Sequence, residues 1–362
     1  MRPGSIRSGK PRLADIAAAA GVSIATVSRV LADHPAITQE TKARVLAIAE
    51  AKGYSREAGL NEPRKARVRQ PKQSGSICVV MPVALTAGSP LANSFELNLL
   101  GGIGAAMRDH RIDFSVSWQA PFDDRSLIKF MAEHPYHGII FVGQSQFHAG
   151  LNSLSGGPRP FVVWGVDTPD QKYCSIGSDN FEGGLRATRH LLDLGRRRLA
   201  FVGQTAPITS AQTGLSQLAA RITGFKAAQS GLGLPPGIVI MRPHGPGRKA
   251  GSDAVEELLG QGIAFDGIVT SSDYIAAGVI ESLLRHGLAV PGDVSVIGYD
   301  DSEIADFIRP KLTSVRQDPI LAGDLLVSKL LRLMAGHEVR SERLPTEISI
   351  RESCGGQVRQ EA

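Results

Sequence analysis

A short segment near the start of the chain carries side chains that could contact nucleic acid. In helical periodicity Val27 and Val30 point to one side, and the other side carries small, hydroxyl-bearing and basic side chains without a carboxylate. Such a face can lie in the major groove of DNA, because nothing on it repels phosphate. The residues on this face are Ser23, Ile24, Ala25, Thr26, Ser28 and Arg29.

These residue types suggest different contacts with DNA. Arg29 could donate two hydrogen bonds to O6 and N7 of guanine, the commonest base-specific contact. The alternatives for Arg29 are a phosphate contact or an ordinary surface position. Ile24 and Ala25 could make only apolar contacts, for example with a thymine methyl group. The hydroxyls of Ser23 and Ser28 are better suited to phosphate oxygens.

Three short helices would have to position this face. Two helical runs flank Gly21, a residue type that readily takes the positive φ of a tight turn between helices. A third amphipathic run covers residues 38–53, and the apolar positions of all three recur at spacings of three and four. These positions are Leu13, Ile16, Ala17 and Ala20, then Val27, Val30 and Leu31, and finally Val45, Ile48 and Ala49. The pattern predicts an all-α helix-turn-helix domain.

Positive charge is concentrated in the same part of the chain. Residues 1–75 hold fourteen Lys and Arg against six Asp and Glu, a net charge of +8, whereas the rest of the chain carries −3. A basic head on a mildly acidic body is expected if only the head meets phosphate. A solvated basic segment is the alternative interpretation of the charge alone, and the helix-turn-helix pattern disfavours it.

Beyond residue 75, apolar strand-like runs alternate with helical segments. Continuous apolar strands joined by helices predict an α/β body with parallel sheets covered on both faces. About 280 residues of this pattern exceed one doubly wound sheet, so two lobes with a cleft between them are expected. The predicted strands are 77–81, 114–118, 138–142, 161–164, 199–202, 238–241, 267–270 and 294–298, and the predicted helices are 97–111, 183–194, 221–229, 252–259, 276–285 and 322–335.

Residues that directly follow the strands are candidates for ligand contacts, because ligands of such sheets sit beyond the carboxyl ends of the strands. Trp164 ends its strand and is either a core residue or an aromatic platform for a ligand. The other candidates from the first lobe are Asn93 and Phe95 after the first strand and Ser145 and Phe147 after the third.

Motifs along most of the chain resemble those of LacI/GalR-family transcriptional regulators. The head motif Ala17-x-x-Ala-Gly-Val-Ser-x-x-Thr-Val-Ser-Arg-Val30 is followed, in family order, by matches at 177–180, 221–225, 272–278, 296–301, 312–318 and 344–351. The resemblance spans residues 12–355. It implies a helix-turn-helix head and a two-lobed, periplasmic-binding-protein-like body. It also implies a homodimer that reads a pseudo-palindromic operator in double-stranded DNA, and a small effector, most simply a sugar.

The resemblance further implies particular ligand contacts. The family's ligand arginine falls on Arg221 and its ligand aspartate on Asp300, and such a pair can hydrogen-bond to adjacent hydroxyls of a sugar. A further polar contact at a strand end falls on Ser272 and Asp273. By residue type alone, Arg221 could equally be a helix-surface arginine and Asp300 a cap or turn residue after a strand.

The segment after Tyr54 departs from the family pattern. The family has a hinge helix there, with a leucine that enters the minor groove, whereas Pro63 stands where that leucine would fall. Leu60 could replace it, although the neighbouring glycine and proline disfavour a stable helix. Arg64 and Lys65 could bind backbone phosphates instead. The linker and its flank therefore add four residues to the predicted DNA-binding set, namely Tyr54, Leu60, Arg64 and Lys65.

Five segments are expected along the chain. They are a basic tail at 1–11, the helix-turn-helix domain at 12–58, a linker or hinge at 59–75, the two-lobed effector-binding and dimerisation domain at 76–355, and a tail at 356–362. The linker is assigned from its prolines, glycines and many cations, which are typical of a segment that runs close to DNA.

Composition disfavours other classes of protein. The chain has no apolar run of about eighteen residues and no signal-peptide core, so a cytoplasmic protein without membrane contact is expected. The three cysteines and nine histidines lack metal-ligand spacing, and no metal, cofactor or enzymatic activity is expected. The sequence thus predicts a transcriptional regulator, most simply a repressor of carbohydrate catabolism genes controlled by a sugar or glycoside. The alternatives are a regulator with a purine-type corepressor and, in a different class, a solute-binding protein.

Overall fold

The contacts in the computed structural model divide the chain into two units, residues 1–73 and 74–362. The structure describes residues 13–31, 37–52, 76–82, 93–121, 123–143, 148–205, 216–243 and 245–356. Several predicted site residues lie outside these ranges, namely Tyr54, Leu60, Arg64, Lys65, Ser145 and Phe147. The predicted N-terminal tail and linker lie outside them as well.

The first unit contains the helices α1 (Leu13–Ala20), α2 (Ile24–Leu31) and α3 (Gln39–Ala51). Gly21 makes the turn after α1 at φ +65°, a backbone conformation that residues with a Cβ rarely adopt. The helices bury their apolar faces against one another in a core of Ile16, Ala17, Ala20, Val27, Val30, Val45 and Ala49, with Leu13 and Ile48 packed against it. The predicted helix-turn-helix is confirmed, as are its apolar faces except at Leu31, whose side chain lies outside the described part of the structure.

The second unit contains two six-stranded sheets. The strands are β1 (Ile77–Val80), β2 (Phe114–Ser117), β3 (Gly138–Val142), β4 (Phe161–Trp164), β5 (Ser175–Ser178), β6 (Leu199–Gln204), β7 (Ile238–Arg242), β8 (Gly267–Thr270), β9 (Ser295–Asp300), β10 (Thr313–Arg316), β11 (Glu342–Leu344) and β12 (Glu347–Ser349). The first sheet has the order β11-β5-β4-β3-β1-β2 and the second β12-β10-β9-β8-β6-β7. All pairs are parallel except β10 with β12, which is antiparallel.

Helices cover the two sheets. They are α4 (Ser94–Asp109), α5 (Asp124–Glu133), α6 (His148–Leu154), α7 (Asn180–Asp193), α8 (Gln217–Ser230), α9 (Gly247–Gly260), α10 (Asp273–Arg285), α11 (Ile304–Phe307) and α12 (Pro319–Met334). The first sheet with α4, α5, α6 and α12 forms one lobe, and the second sheet with α7 to α11 forms the other. The predicted two-lobed α/β body is confirmed, with one antiparallel edge strand that the pattern did not indicate.

All eight predicted strands are present, with ends that differ by at most two residues. The six predicted helices begin three to five residues earlier than expected. Five of them start with a polar residue whose side chain accepts a hydrogen bond from the first turn, which apolar periodicity does not reveal. These cap residues are Asn93, Asp179, Ser216, Ser272 and Asp318.

The chain passes between the lobes three times. The first crossover lies at Asp179, between β5 and α7. The second is formed by Gln317 and Asp318, between β10 and α12, and the third lies at 345–346, between β11 and β12. The strands beside these crossovers, β5, β10, β11 and β12, are short and contain polar or charged residues, which is why apolar runs did not predict them.

Candidate ligand site and nucleic-acid interface

A cavity of about 240 Å³ lies between the two lobes of the body. Its walls come from the start of α4 in the first lobe, from the residues at the end of β9, and from the second crossover with the start of α12. The lining residues are Phe95, Asn98, Asp300, Asp301, Ser302, Arg316, Gln317, Asp318, Pro319 and Ile320. The cavity therefore lies at the carboxyl ends of strands, where the sequence analysis expected a ligand.

Asp300, the last residue of β9, presents a carboxylate in this wall. Its backbone has φ +103°, and its Oδ1 accepts a hydrogen bond from Gln317 Nε2 at 2.7 Å. Arg221 Nη2 lies 3.9 Å from the same oxygen. Burial raises the pKa of Asp300 to about 6, although the Arg221 charge and the Gln317 hydrogen bond both oppose the rise. The carboxylate thus carries a desolvation cost that a ligand with hydroxyl or cationic donors would relieve.

Arg221, on α8, is buried and is not a helix-surface arginine, since only 8% of the residue is exposed. Its Nε donates to Asn180 Oδ1 at 2.8 Å and its Nη1 to the Ser271 carbonyl at 2.7 Å. The guanidinium lies 3.5 Å from the centroid of the Tyr299 ring, a cation–π contact. These contacts fix the plane of the guanidinium and direct Nη2 toward Asp300.

Close packing of α7 against α8 places Arg221. A Cβ on Gly184 would lie 2.2 Å from the Arg221 carbonyl oxygen, and a Cβ on Gly224 would lie 2.1 Å from the Phe181 carbonyl oxygen. Only glycine permits the two backbones to approach this closely. The short distance between Arg221 and Asn180, the first residue of α7, follows from this approach.

Ser272 and Asp273 lie behind the wall of the cavity. Ser272 Oγ caps α10 by accepting from Ile275 N. Asp273 is 1% exposed, and its two oxygens accept from Ser302 N at 2.6 Å, Ser302 Oγ at 2.8 Å and Ser314 Oγ at 2.5 Å. Burial, together with the negative charge of Asp300, raises the pKa of Asp273 to about 7. Asp273 thus holds the loop after β9 and Ser272 caps α10, and direct contact of either residue with a ligand stays a prediction.

The described first-lobe candidates have different positions. Phe95 lines the cavity, whereas Asn93 caps α4 by accepting from Glu96 N at 2.9 Å. Trp164 is 3% exposed and belongs to the apolar core, with its ring centroid 5.4 Å from that of Phe95. The ring of Phe95 is therefore the first-lobe aromatic beside the cavity, and Trp164 supports it from the core. A ligand contact for Asn93 or Trp164 stays a prediction.

Most of the residues that line the cavity were not predicted, and neither were Glu96 and Asn180 near it. Glu96 accepts from Asn93 N at 2.9 Å in a capping box. Burial raises the pKa of Glu96 to about 7, with a further contribution from the negative charge of Asp300. The Asn-x-x-Glu spacing could have indicated the capping box, but nothing local indicates that this helix start approaches Asp300 of the other lobe.

The pKa shifts of these carboxyl groups predict that stability falls as the pH rises. Because the folded-state pKa of Glu96 is raised from 4.5 to about 7, the folded protein binds its proton more tightly than the unfolded chain in that pH window. The favourable contribution of this proton to the free energy of unfolding is complete below about pH 4.5 and is lost as the pH rises through 7. Asp300 and Asp273 add contributions of the same sign.

Glu96→Gln should flatten this pH dependence, because the amide keeps the hydrogen bond from Asn93 N and does not titrate. We expect the loss of unfolding free energy between pH 5 and pH 8 to shrink by about 1–2 kcal/mol, allowing for partial exposure. Urea unfolding at pH 5, 6, 7 and 8 measures the effect. An unchanged slope in Glu96→Gln would contradict the assignment of the titration to Glu96.

The predicted DNA-contacting face lies on α2 in the first unit. Ile24 is 45% exposed, and Thr26, Ser28 and Arg29 are partly exposed. Ser23 Oγ accepts from Thr26 N at 3.0 Å and lies 2.9 Å from Thr26 Oγ1, so this hydroxyl caps α2. The side chain of Ala25 lies outside the described part of the structure. Contact of this face with bases and phosphates stays a prediction.

Three general features of the described residues concern membrane spans, metal ligands and cysteines. None of the helices within the described ranges is long and apolar enough to cross a membrane. Among the same residues, no three His, Cys, Asp or Glu side chains are placed to hold a metal ion. The three cysteines are buried and free.

Solved structures of similar fold cover nearly the whole chain. The CelR–cellobiose complex, a transcriptional regulator, is 24% identical with a TM-score of 0.64 and covers 95% of this chain and 99% of that chain. The Lac repressor dimer bound to operator and the anti-inducer ONPF is 23% identical with a TM-score of 0.65 and covers 96% of this chain and 99% of that chain.

Sequence comparisons identify the family. Residues 12–57 match the bacterial regulatory proteins of the lacI family, and residues 188–354 match the periplasmic binding protein-like domain. An uncharacterized HTH-type transcriptional regulator in the aml 5′ region of Streptomyces limosus is 31% identical over 340 residues, covering 91% of this chain and 90% of that protein. Catabolite control protein A of Priestia megaterium is 29% identical over 345 residues, covering 94% and 98%. The chain belongs to the lacI family of bacterial regulatory proteins and is a DNA-binding transcriptional regulator of the helix-turn-helix type.

Proposed function

We propose that this regulator is a cytoplasmic, homodimeric repressor of carbohydrate catabolism genes, released from its operator by a sugar or glycoside bound between the lobes. The observation that carries the proposal is the buried Arg221–Asp300 pair, in which Asp300 lines the inter-lobe cavity and Arg221 lies directly behind it. An arginine and a carboxylate side by side offer donors and acceptors to adjacent hydroxyls, and Phe95 offers an apolar face to a sugar ring.

Relatives support the sugar class of effector. The CelR structure is a complex with cellobiose, and a LacI family regulator from Enterococcus faecium contains bound ribose, at 26% identity and a TM-score of 0.64 over 77% of this chain and 98% of that chain. In the proposed division of labour, residues 12–58 read the operator, 59–75 connect, and 76–355 bind effector and dimerise.

The homodimer is proposed by analogy with the Lac repressor, whose structure is a dimer bound to operator. Phe307 is 77% exposed, and Ile320, Leu97, Leu284 and Tyr274 are each more than 40% exposed. Single exposed apolar side chains are ordinary on a protein surface and only a contiguous patch marks an interface, so these five side chains do not by themselves carry the homodimer. Two heads held by such a dimer would read two half-sites related by a twofold axis.

The proposal is tested by capture of genomic DNA fragments on the purified protein, followed by titration of the recovered operator with neutral mono- and disaccharides, including cellobiose and ribose. We expect the recovered DNA fragments to share a palindromic sequence, and one sugar to release the protein from it.

Arg29→Ala should weaken operator binding by about 5- to 150-fold and relax base preference, as expected for loss of a base contact of 1–3 kcal/mol. Recovery of no palindrome, or an operator complex that no sugar dissociates, would contradict the corresponding part of the proposal.

A further inference from the structure

The two side chains proposed to bind the effector are each hydrogen-bonded to a residue beside a crossover between the lobes. Asp300 Oδ1 accepts from Gln317 Nε2 at 2.7 Å, and Gln317 belongs to the second crossover. Arg221 Nε donates to Asn180 Oδ1 at 2.8 Å, and Asn180 directly follows the first crossover. Ligand-contacting groups and inter-lobe connections therefore share hydrogen bonds.

Asn180 joins the two lobes through one amide group. Its Nδ2 donates to the carbonyl of Ser178 at 2.9 Å, and Ser178 is the last residue of β5 in the first sheet. Its Oδ1 accepts from Arg221, which belongs to α8 of the second lobe. The side chain is 3% exposed, so water does not compete readily for these bonds. A displacement of Arg221 therefore either breaks its bond to Asn180 or, through Asn180, pulls on the bond to Ser178 of the first-lobe strand.

The loop after β9 also contacts the segment that follows the third crossover. Asp301, next to Asp300, accepts from Ser349 Oγ at 2.6 Å and from Arg351 Nη1 at 2.7 Å. The first crossover is also bonded to the strand before the third, because Asp179 N donates to the carbonyl of Leu344, the last residue of β11, at 2.9 Å. The loop after β9 thus contacts the second crossover through Gln317 and the strand after the third crossover through Asp301.

The loop after β9 begins with two residues at positive φ, a conformation that other contacts must stabilise. Asp300 has φ +103° and Asp301 has φ +53°, and non-glycine residues in this region carry a conformational cost. Asp273 holds the loop from behind through Ser302 and Ser314, and Gln317 holds it from the second crossover. A strained segment kept by several bonds has an alternative that becomes populated when those bonds are lost.

We infer that Asn180 and Gln317 are positioning residues that connect the effector-binding pair to the crossovers, so that the arrangement of Arg221 and Asp300 and the arrangement of the two lobes change together. The inference rests on the proposed function for the identity of the ligand-binding pair. An effector that bonds to Nη2 of Arg221 and to the carboxylate of Asp300 would act on a pair whose remaining contacts already lead to the first and second crossovers. A ligand that favours one arrangement of this pair favours one arrangement of the lobes by the same free energy.

Hydrogen exchange of the full-length protein, measured without any effector, tests the inference. The variants are Gln317→Met, which keeps the length of the side chain but has no donor, and Asn180→Asp, which keeps the acceptor for Arg221 but loses the donor to Ser178. Gln317→Glu serves as a second variant at position 317 if the methionine does not fold. The matched control is Gln261→Met, since Gln261 makes an exposed hydrogen bond within α9.

We expect Gln317→Met to accelerate exchange about tenfold at residues 180–184 and 347–349 as well as at 319–322, a change within the coupling range of residues in one network. Asn180→Asp should accelerate exchange at 319–322 in return. The central strands β1 and β3 should exchange as in the unsubstituted protein, which shows that the fold is intact, and Gln261→Met should leave all of these segments unchanged.

The double variant, which combines Gln317→Met with Asn180→Asp, tests whether the two residues act through one connected set of hydrogen bonds or independently. If the two residues act through one connected set of bonds, the logarithmic changes of the two single variants will not add. Changes confined to the substituted segment, or strictly additive changes, overturn the inference. Because no effector is present, such a result leaves the proposed sugar response intact, and a failure of the sugar titration leaves this result intact.

Discussion

Asp300→Asn should shift the response of operator binding to much higher effector concentrations without weakening the binding of operator itself. The substitution keeps an oxygen that can accept from Gln317 but removes the charge that would accept from ligand hydroxyls beside Arg221. Hydrogen bonds to a charged group contribute about 1.5–3 kcal/mol each. We therefore expect effector affinity to fall by about 100-fold, since the loss of at least one such bond is combined with a misplaced guanidinium.

The measurement is a calorimetric titration with the sugar that releases the operator, next to an operator-binding assay with and without that sugar. Asp253→Asn is the matched control, because Asp253 pairs with Lys249 on the exposed side of α9. Asp300→Asn should lower effector affinity but should not lower the stability of the folded protein. Burial raises the pKa of Asp300 to about 6, so the carboxylate that predominates at neutral pH lowers the stability of the folded protein, and Asp300→Asn should unfold at the same temperature or higher. Unchanged effector affinity would contradict the role of Asp300.

This combination of effects distinguishes a binding group from a structural one. A residue that only supports the fold loses stability when it is changed, and ligand affinity falls as a consequence. A buried charge kept for a ligand lowers stability while it is present, so its removal separates the two measurements. Asp273 offers the contrast, because its oxygens accept three internal hydrogen bonds. Asp273→Ala would leave those donors unpaired and lower both stability and affinity.

The helical head could be predicted almost completely from sequence, because its information is local. Within each helix the apolar residues recur at spacings of three and four, and this puts Ile16, Val27 and Val45 on the sides that face one another. Gly21 marks the turn between the first two helices. The body was predicted where strands are apolar throughout, as in 138–142. It was missed where short strands lie beside the crossovers, because their polar residues are buried by contacts with distant parts of the chain.

The ligand site was likewise predicted where a local motif marks a residue and missed where a residue is placed by distant contacts. Arg221 and Asp300 were found through a family motif, and the structure brings them to 3.9 Å of each other. The bonds of Asn180 to Arg221 and of Gln317 to Asp300 join residues 41 and 17 positions apart. No periodicity or spacing within one helix or strand encodes such pairs. Trp164 was left open between core and ligand platform, and the packing around it, which depends on α4, places it in the core.

Gly224→Ala should destabilise the body by about 3 kcal/mol, a large effect for one methyl group. The new Cβ would lie 2.1 Å from the Phe181 carbonyl oxygen and 2.7 Å from Leu185 N. Both are backbone atoms, which cannot move without separating α7 from α8. Overpacking of a well-packed contact costs about 1–3 kcal/mol, and a clash with backbone belongs at the upper end.

Unfolding in urea measures the loss, and Gly101→Ala provides the control. Gly101 lies on the exposed side of α4, and a Cβ there meets no atom within 4 Å. Because alanine is the better helix former, this control should be stabilised by about 0.5–1 kcal/mol. Effector affinity should fall in Gly224→Ala as well, because separation of α7 from α8 lengthens the bond between Arg221 and Asn180. A Gly224→Ala protein as stable as the unsubstituted one would mean that the two helices can shift apart freely, and the close approach would then not be what fixes Arg221 at the cavity.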